Sequence, residues 1–410
     1  MKKNKKSDSK GLISKIKDFY NKKVKKDKFK FSVLETVIIM LIVFGIGLVI
    51  GGIIMYGNGT YSNSSLSMNE FISAYNEIVD NYYEDVDKDK LLEAGISGMI
   101  GYLGDPYSTY FNTDAASDFN EDVEGTYQGI GAEIKFNDDK KPSIGRVFEN
   151  SPAEKTGLKE NDVLISVNGE SVVDKSLSAI ASIVKGEKNT DVNVTISRDG
   201  EEMALTITRD VVDNISVTSE IIEKNDKKIG YLYISVFAAN TPKQFKNELK
   251  KLEDEKIDSL IIDVRGNTGG YLTTVEEIIS MFMKKGEVIY QLKTKDKVEI
   301  IKDATDEFRD YPVVVLADGA SASASELLVG AFSETYHATI VGTKTFGKGR
   351  VQKMTTLSSG AMFKYTYQEW LTPNGNYIDK QGIEPTIEIK YEYDEKVDNQ
   401  KEKAIEEIIK

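Results

Sequence analysis

Ser321, Ser323 and Ser325 alternate with alanines in ADGASASASELLVGAF, residues 317–332, directly after the apolar run YPVVVLAD and at the mouth of a helix. A serine hydroxyl is a weak nucleophile until a base takes its proton. The chain has no cysteine and one histidine, His337, which lies between a helix and the strand ATIVG with no obvious acidic orienter and reads as a surface residue. The remaining candidate base is Lys348, set between two glycines in VGTKTFGKGRVQ. Lysine ordinarily holds its proton to about pH 10.4, and bringing that to roughly 7–8 takes desolvation worth about 3–5 kcal/mol. Flanking glycines let the backbone come close and press the amine into a dry pocket. Ser323 also has a second reading, because Ser323-x-x-Glu326 matches a capping box in which serine caps the helix and glutamate reaches back. On these residues alone both readings stand.

The elements that would position them alternate. KIGYLYISVF, DSLIIDV, YPVVVLAD and ATIVG read as strands, and TPKQFKNELKKLEDE, YLTTVEEIISMFM and ASELLVGAFSETY as helices. Strands alternating with helices imply crossover units and a largely parallel sheet. Function in such sheets gathers in turns at the carboxyl ends of strands. The two unusual turns, 265–270 (RGNTGG) and 319–325, lie there; Asp263, Arg265 and Asn267 are expected to shape the first rather than to react.

Upstream, residues 118–210 consist of short β-rich runs with Asn168-Gly169 and Asp199-Gly200 turns and one good helix, 177–184. Before them, 71–83 and 90–103 carry apolar residues at three- and four-residue spacing, as two amphipathic helices do, and LGDPYSTYF closes that region. Thr36 to Tyr56 is uncharged over 21 residues, about 32 Å as a helix and long enough to cross a hydrocarbon core. No A-x-A-like cleavage site follows, so a retained single-pass anchor is expected rather than a signal peptide. Residues 1–30 carry thirteen Lys against Asp8, Asp18 and Asp27, and the rest of the chain holds −23 of the net −13. Basic residues before the span and an acidic body after it put the N-terminus in the cytoplasm and the rest of the chain outside. The acidic body argues against a nucleic-acid partner. The absence of cysteine excludes thiolate metal sites and disulfides.

These segments divide the chain into a basic tail (1–35), a transmembrane helix (36–56), a linker (57–68), a helical region (69–117), the β-rich domain (118–210), the α/β core (211–392) and a charged C-terminal helix (393–410). The helices before Leu103 and the tail's apolar Ala404, Ile405, Ile408 and Ile409 could pair between subunits, which suggests a homodimer.

The block SPAEKTGLKENDVLISVNG resembles a PDZ domain, with GIGAEI in the place of its carboxylate-binding loop. The resemblance implies that Gly129, Ile130, Gly131 and Ala132 hold a peptide's terminal carboxylate on consecutive amides. From LGDPYSTYF onward the chain resembles the C-terminal processing peptidases, or tail-specific proteases, through DVRGNTGG, ASASASELLVGAF, GTKTFGKGRVQ and WLTPNGNYIDKQGIEP, in that family's order. This implies an α/β peptidase core of crotonase/ClpP-like βαβ units with an inserted PDZ domain. It implies a serine-type endopeptidase acting on proteins or peptides with free C-termini, with no cofactor and no metal. Carried over, Ser323 is the nucleophile, selected over Ser321 and Ser325 by its 25-residue spacing to the base Lys348. Gln352 would direct the lysine, and Ala324 and Gly269 would supply oxyanion donors, Gly270 remaining an alternative. Ala320 departs from the glycine often found there in the family. Two rival functions are a non-catalytic binding protein on the same core and a crotonase-like enzyme of acyl thioesters.

Overall fold

The structure is a computed structural model that describes residues 67–394 and 397–410, together with Met40, Ile42, Val43, Phe44, Ile46 and Gly47. Those of the 36–56 segment that are described are helical and exposed. The rest of that expected transmembrane helix, the basic tail and most of the linker lie outside the described residues. Among the described residues no helix is long and apolar enough to cross a membrane.

The chain falls into two units, 1–88 and 89–410. In the first, helix Met68–Asn81 starts at a capping box: Ser67 N–H donates to Glu70 and Glu70 N–H to Ser67 Oγ. Its apolar stripe, with Phe71, Ile72 and Ile78, is exposed.

The second unit is built around a six-stranded sheet in the order Val217–Lys224, Lys227–Ile234, Ser259–Asp263, Val313–Ala317, Thr339–Gly342, Ile387–Glu388. The first two strands form an antiparallel hairpin and the others run parallel. Every residue of Ser259–Asp263 and Val313–Ala317 is buried, as expected of central parallel strands covered on both faces. Leu260 and Ile262 face helices Thr241–Asp254, Leu272–Ser280 and Ala324–Ala331. Ile261, Val314, Leu316 and Val341 face the C-terminal helix Asn399–Ile408. That helix buries Ala404, Ile405 and Ile408 against its own sheet. This corrects the expectation that the tail's apolar face is free for a second subunit, because the sheet's second face needs a cover and the tail provides it.

A second, antiparallel sheet was not anticipated. Its order is Thr109–Phe111, Met362–Leu371, Val288–Lys293, Val298–Lys302, and Arg350–Thr356 also pairs with Met362–Leu371. It brings the LGDPYSTYF segment beside the strands that follow Lys348.

The β-rich domain is a six-stranded sheet spanning Ala132–Phe136 to Glu201–Thr208 with helix Leu177–Val184. It has its own core around Ile144, Leu164, Val167, Ile180 and Val194. It joins the rest through a two-stranded stalk, Thr126–Gly129 against Asp210–Asp213. The expected boundaries at 117/118 and 210/211 therefore fall inside helix Thr113–Glu124 and inside a stalk strand. Both elements connect the domains, so neither carries the composition change that marks a boundary.

Candidate active site

Ser321, Ser323 and Ser325 have different surroundings. Ser321 is fully buried and donates Oγ to Val264 O at 2.8 Å. Ser325 is fully buried and donates Oγ to Asn267 O at 2.8 Å. These bonds stitch the serine turn to the turn that follows strand Ser259–Asp263. Ser323 alone is half-buried, and it lines a cavity of about 1140 Å³. Its backbone sits at φ 57°, ψ −113°, a region that costs a non-glycine residue of order 1–3 kcal/mol and is held by its surroundings. Such a strand-to-helix elbow presents a nucleophile at the top of a sheet.

Part of what holds it is Glu326, which is fully buried. Its Oε2 accepts from the N–H of Ser323 (2.9 Å) and of Lys348 (2.8 Å). Its Oε1 accepts from Thr345 Oγ1 (2.7 Å) and Gly347 N–H (2.6 Å). The glutamate expected to close a helix cap thus also ties the serine turn to the lysine loop, which starts 19 residues away.

Lys348 is half-buried and lines the same cavity. Its amine lies 5.1 Å from the centre of the Tyr107 ring. Burial holds its pKa below the ordinary lysine range, Lys364 adds to this by repulsion, and Glu326 and Asp105 pull the other way. Tyr107 and Asp105 belong to LGDPYSTYF, whose physical role the sequence did not disclose. Asp105 accepts from Tyr107 N–H (3.2 Å) and Ser108 Oγ (2.5 Å), while Ser108 Oγ accepts from Thr366 N–H (3.2 Å). That chain fastens the Tyr107 turn beneath the amine. Burial alone would raise the Asp105 pKa, but hydrogen bonds involving Ser108, Thr366 and Tyr107 outweigh it and leave a net lowering.

Gln352 lines the cavity too, but not in the expected orientation. It donates Nε2 to Arg350 O (3.0 Å) and Thr366 Oγ1 (3.3 Å). Among the described residues it makes no hydrogen bond to Lys348. A register shift between Val351 and Gln352 interrupts the strand pairing there, and such bulges re-aim side chains.

Gly269 packs against the serine turn: a Cβ there would lie 2.8 Å from Ala322 O, 2.9 Å from Ser323 Cβ and 3.2 Å from Ala324 N. Its φ of 110° also favours glycine. Gly270 instead backs onto Phe237, whose carbonyl a Cβ would meet at 2.1 Å. Of the two open alternatives, Gly269 is the neighbour of Ser323 and Ala324. Its N–H, however, donates to Asn267 Oδ1 (2.8 Å), so an oxyanion would have to replace that partner. The other residues of this turn are held in place. Asn267 Nδ2 donates to Ile234 O, and Arg265 bridges Asp263 to Asp398 at the start of the C-terminal helix. His337 is exposed and does not line the cavity.

The loop 129–132 lies apart from this cavity, although Glu133, Arg146 and Phe148 of the same domain form part of the cavity wall. Ile130 O and Gly131 O accept from Ala153 N–H (2.7 Å) and Phe148 N–H (3.0 Å). Ile130 is buried, and strand Ala132–Phe136 begins at Ala132. Burial raises the Tyr127 pKa, and the nearby Gly131 backbone opposes that rise. The Tyr127 ring covers Gly129, 2.8 Å from where a Cβ would stand.

Three family patterns match: peptidase family S41 over residues 228–389, a PDZ domain over 144–198, and the N-terminal domain of the activating protease CtpB over 54–115. The carboxy-terminal processing protease CtpB of Bacillus subtilis is 41% identical over 336 residues, covering 80% of this chain and 69% of the relative. This chain belongs to peptidase family S41. A probable CtpA-like serine protease of Staphylococcus haemolyticus is 38% identical over 319 residues, 77% of this chain and 63% of that protein, so the chain spans less than two thirds of the staphylococcal relative. Among solved structures, the photosystem II D1 C-terminal processing protease is 24% identical, with a TM-score of 0.46, over 78% of this chain and 92% of that one. Membership makes this S41 chain a serine-type C-terminal processing endopeptidase.

Proposed function

We propose that this S41 peptidase cleaves by a Ser323/Lys348 dyad, reads the free C-terminus of its substrate through the PDZ loop 129–132, and is held at the cell membrane by the apolar segment 36–56, with the catalytic body outside the cytoplasm. The observation that carries the dyad is a single cavity that receives Ser323 on a strained elbow and a desolvated Lys348, while both flanking serines are buried in backbone hydrogen bonds. Ser323 Oγ attacks the scissile carbonyl as neutral Lys348 takes its proton. The C–O bond forms, the carbonyl pair moves onto oxygen, and amide N–H groups at Ala324 and Gly269 stabilise that charge. Lys348 then returns the proton to the leaving amine as the C–N bond breaks, and water repeats the sequence on the acyl-enzyme. Gln352 would turn toward the amine when substrate displaces its present partners. The exposed stripe of helix Met68–Asn81 offers a surface through which two copies could pair.

Amidating a substrate's C-terminus removes its charge and leaves the cleaved sequence unchanged. A charge-assisted hydrogen bond contributes about 1.5–3 kcal/mol, so kcat/KM should fall about 10- to 150-fold on amidation. Equal cleavage of free-acid and amide peptides by the full chain would reject tail reading. A dyad also predicts an alkaline limb, because the neutral amine is the working form: the rate should rise with pH through an apparent pKa well below about 10.4. A profile flat from about pH 6 to 9 would count against a lysine base.

A further inference from the structure

Lys364 stands in strand Met362–Leu371, opposite Thr109 on one side and Met354 on the other. Two residues along, Thr366 pairs with Gln352 and accepts its amide. Alternate residues of a strand share a face, and Lys364, Met354 and Gln352 all line the cavity that holds Lys348. The Lys364 amine lies 5.4 Å from the centre of the Phe111 ring and 5.1 Å from that of Phe119. Aromatic faces fix an ammonium without neutralising it. Among the described residues no carboxylate pairs with Lys364, whereas Arg350, on the same cavity wall, is paired with Asp379 at 3.0 Å. A half-buried, unneutralised cation therefore shares a cavity with an amine that must lose its proton to act.

We propose that Lys364 is a positioning residue for catalysis, an ammonium seated over the packed rings of Phe111 and Phe119 whose repulsion keeps the neighbouring Lys348 amine free of its proton. This rests on Lys348 being the base. The groups facing Lys348 oppose one another. Glu326 from the nucleophile helix and Asp105 from the turn below favour its charged form, Tyr107 presents a ring, and Lys364 from the strand disfavours that form. Without Lys364 the two carboxylates act unopposed except by desolvation. Burial disfavours the Lys364 charge as well, and the two phenylalanine faces work against that effect.

The test is the pH dependence of kcat/KM on one peptide for the wild type, Lys364→Met, Lys364→Gln, Lys364→Arg and Lys348→Ala. Removing a like charge is expected to move the alkaline limb up by about one pH unit, about a tenfold loss below the limb with convergence to wild type above it. Lys364→Arg keeps the charge and should keep the wild-type limb. Lys364→Gln provides the same comparison if the methionine variant does not fold. A loss equal at every pH, an unshifted limb, or an arginine variant that behaves like the neutral ones overturns the proposal. So does a higher KM for acidic peptides alone, which would make Lys364 a substrate anchor. Cleavage by Lys348→Ala would instead overturn the reading of Lys348 as base, so the two failures are distinguishable.

Discussion

Lys348→Ala should lower kcat/KM by more than about 10³-fold, the scale of losing a member of a catalytic triad, and leave the fold intact. The structure separates the two consequences. The main chain of Lys348 is structural: its N–H donates to Glu326 and its carbonyl accepts from Trp370 Nε1 at 3.1 Å. Alanine keeps both bonds. The amine is unpaired by any carboxylate among the described residues and sits over the Tyr107 ring, so its removal loses one ring contact and relieves the desolvation of a half-buried amine. Thermal unfolding should therefore shift by only a few degrees while peptide cleavage disappears. Lys348→His should not restore the rate, because imidazole is shorter and differently aimed. Near-wild-type cleavage by Lys348→Ala would remove the Ser323/Lys348 dyad.

The central parallel strands were legible because they carry apolar runs, such as the fully buried VVVLA of residues 313–317, whereas the two-residue edge strand Ile387–Glu388 was not. The turns that follow them were legible because Gly269 and the serine cluster are unusual at such places. Other features were hidden for a common reason: their partners are far away in the chain. Ser321 and Ser325 are held by bonds to Val264 and Asn267, 57 and 58 residues upstream, that Ser323 does not make. Lys364 reads as one more lysine in a strand until that strand lies against Thr109–Phe111, some 250 residues earlier in the chain. Gln352 could be assigned to the site by its distance from Lys348, but a local bulge decides where its amide points. The C-terminal helix showed an apolar face, and nothing in its own residues said which surface would cover it.

Glu326 was legible as a residue and not as a junction, and Glu326→Gln should lower kcat by about 10²-fold or more. Its two oxygens accept four donors, two of them the main-chain amides of Ser323 and Lys348. Glutamine has the same shape but one acceptor oxygen and an amino group that only donates. If that group takes the place of Oε2, the Ser323 and Lys348 amides lose their acceptor and meet a donor. If it takes the place of Oε1, Thr345 Oγ1 and Gly347 N–H meet it instead. The hydroxyl can turn, although it already accepts from Ile383 N–H at 2.7 Å, and the buried Gly347 amide is then left alone. Each charge-assisted bond lost is worth about 1.5–3 kcal/mol, so stability should drop as well. The strained Ser323 elbow should relax first, because one of the bonds that hold it is weakened. The signature that separates this from general damage is the pH profile. Glu326 favours the charged form of Lys348, so its neutral replacement should move the alkaline limb to lower pH even as the maximum rate falls. A lower rate with the limb unmoved would mean that Glu326 holds the loops but does not act on the base.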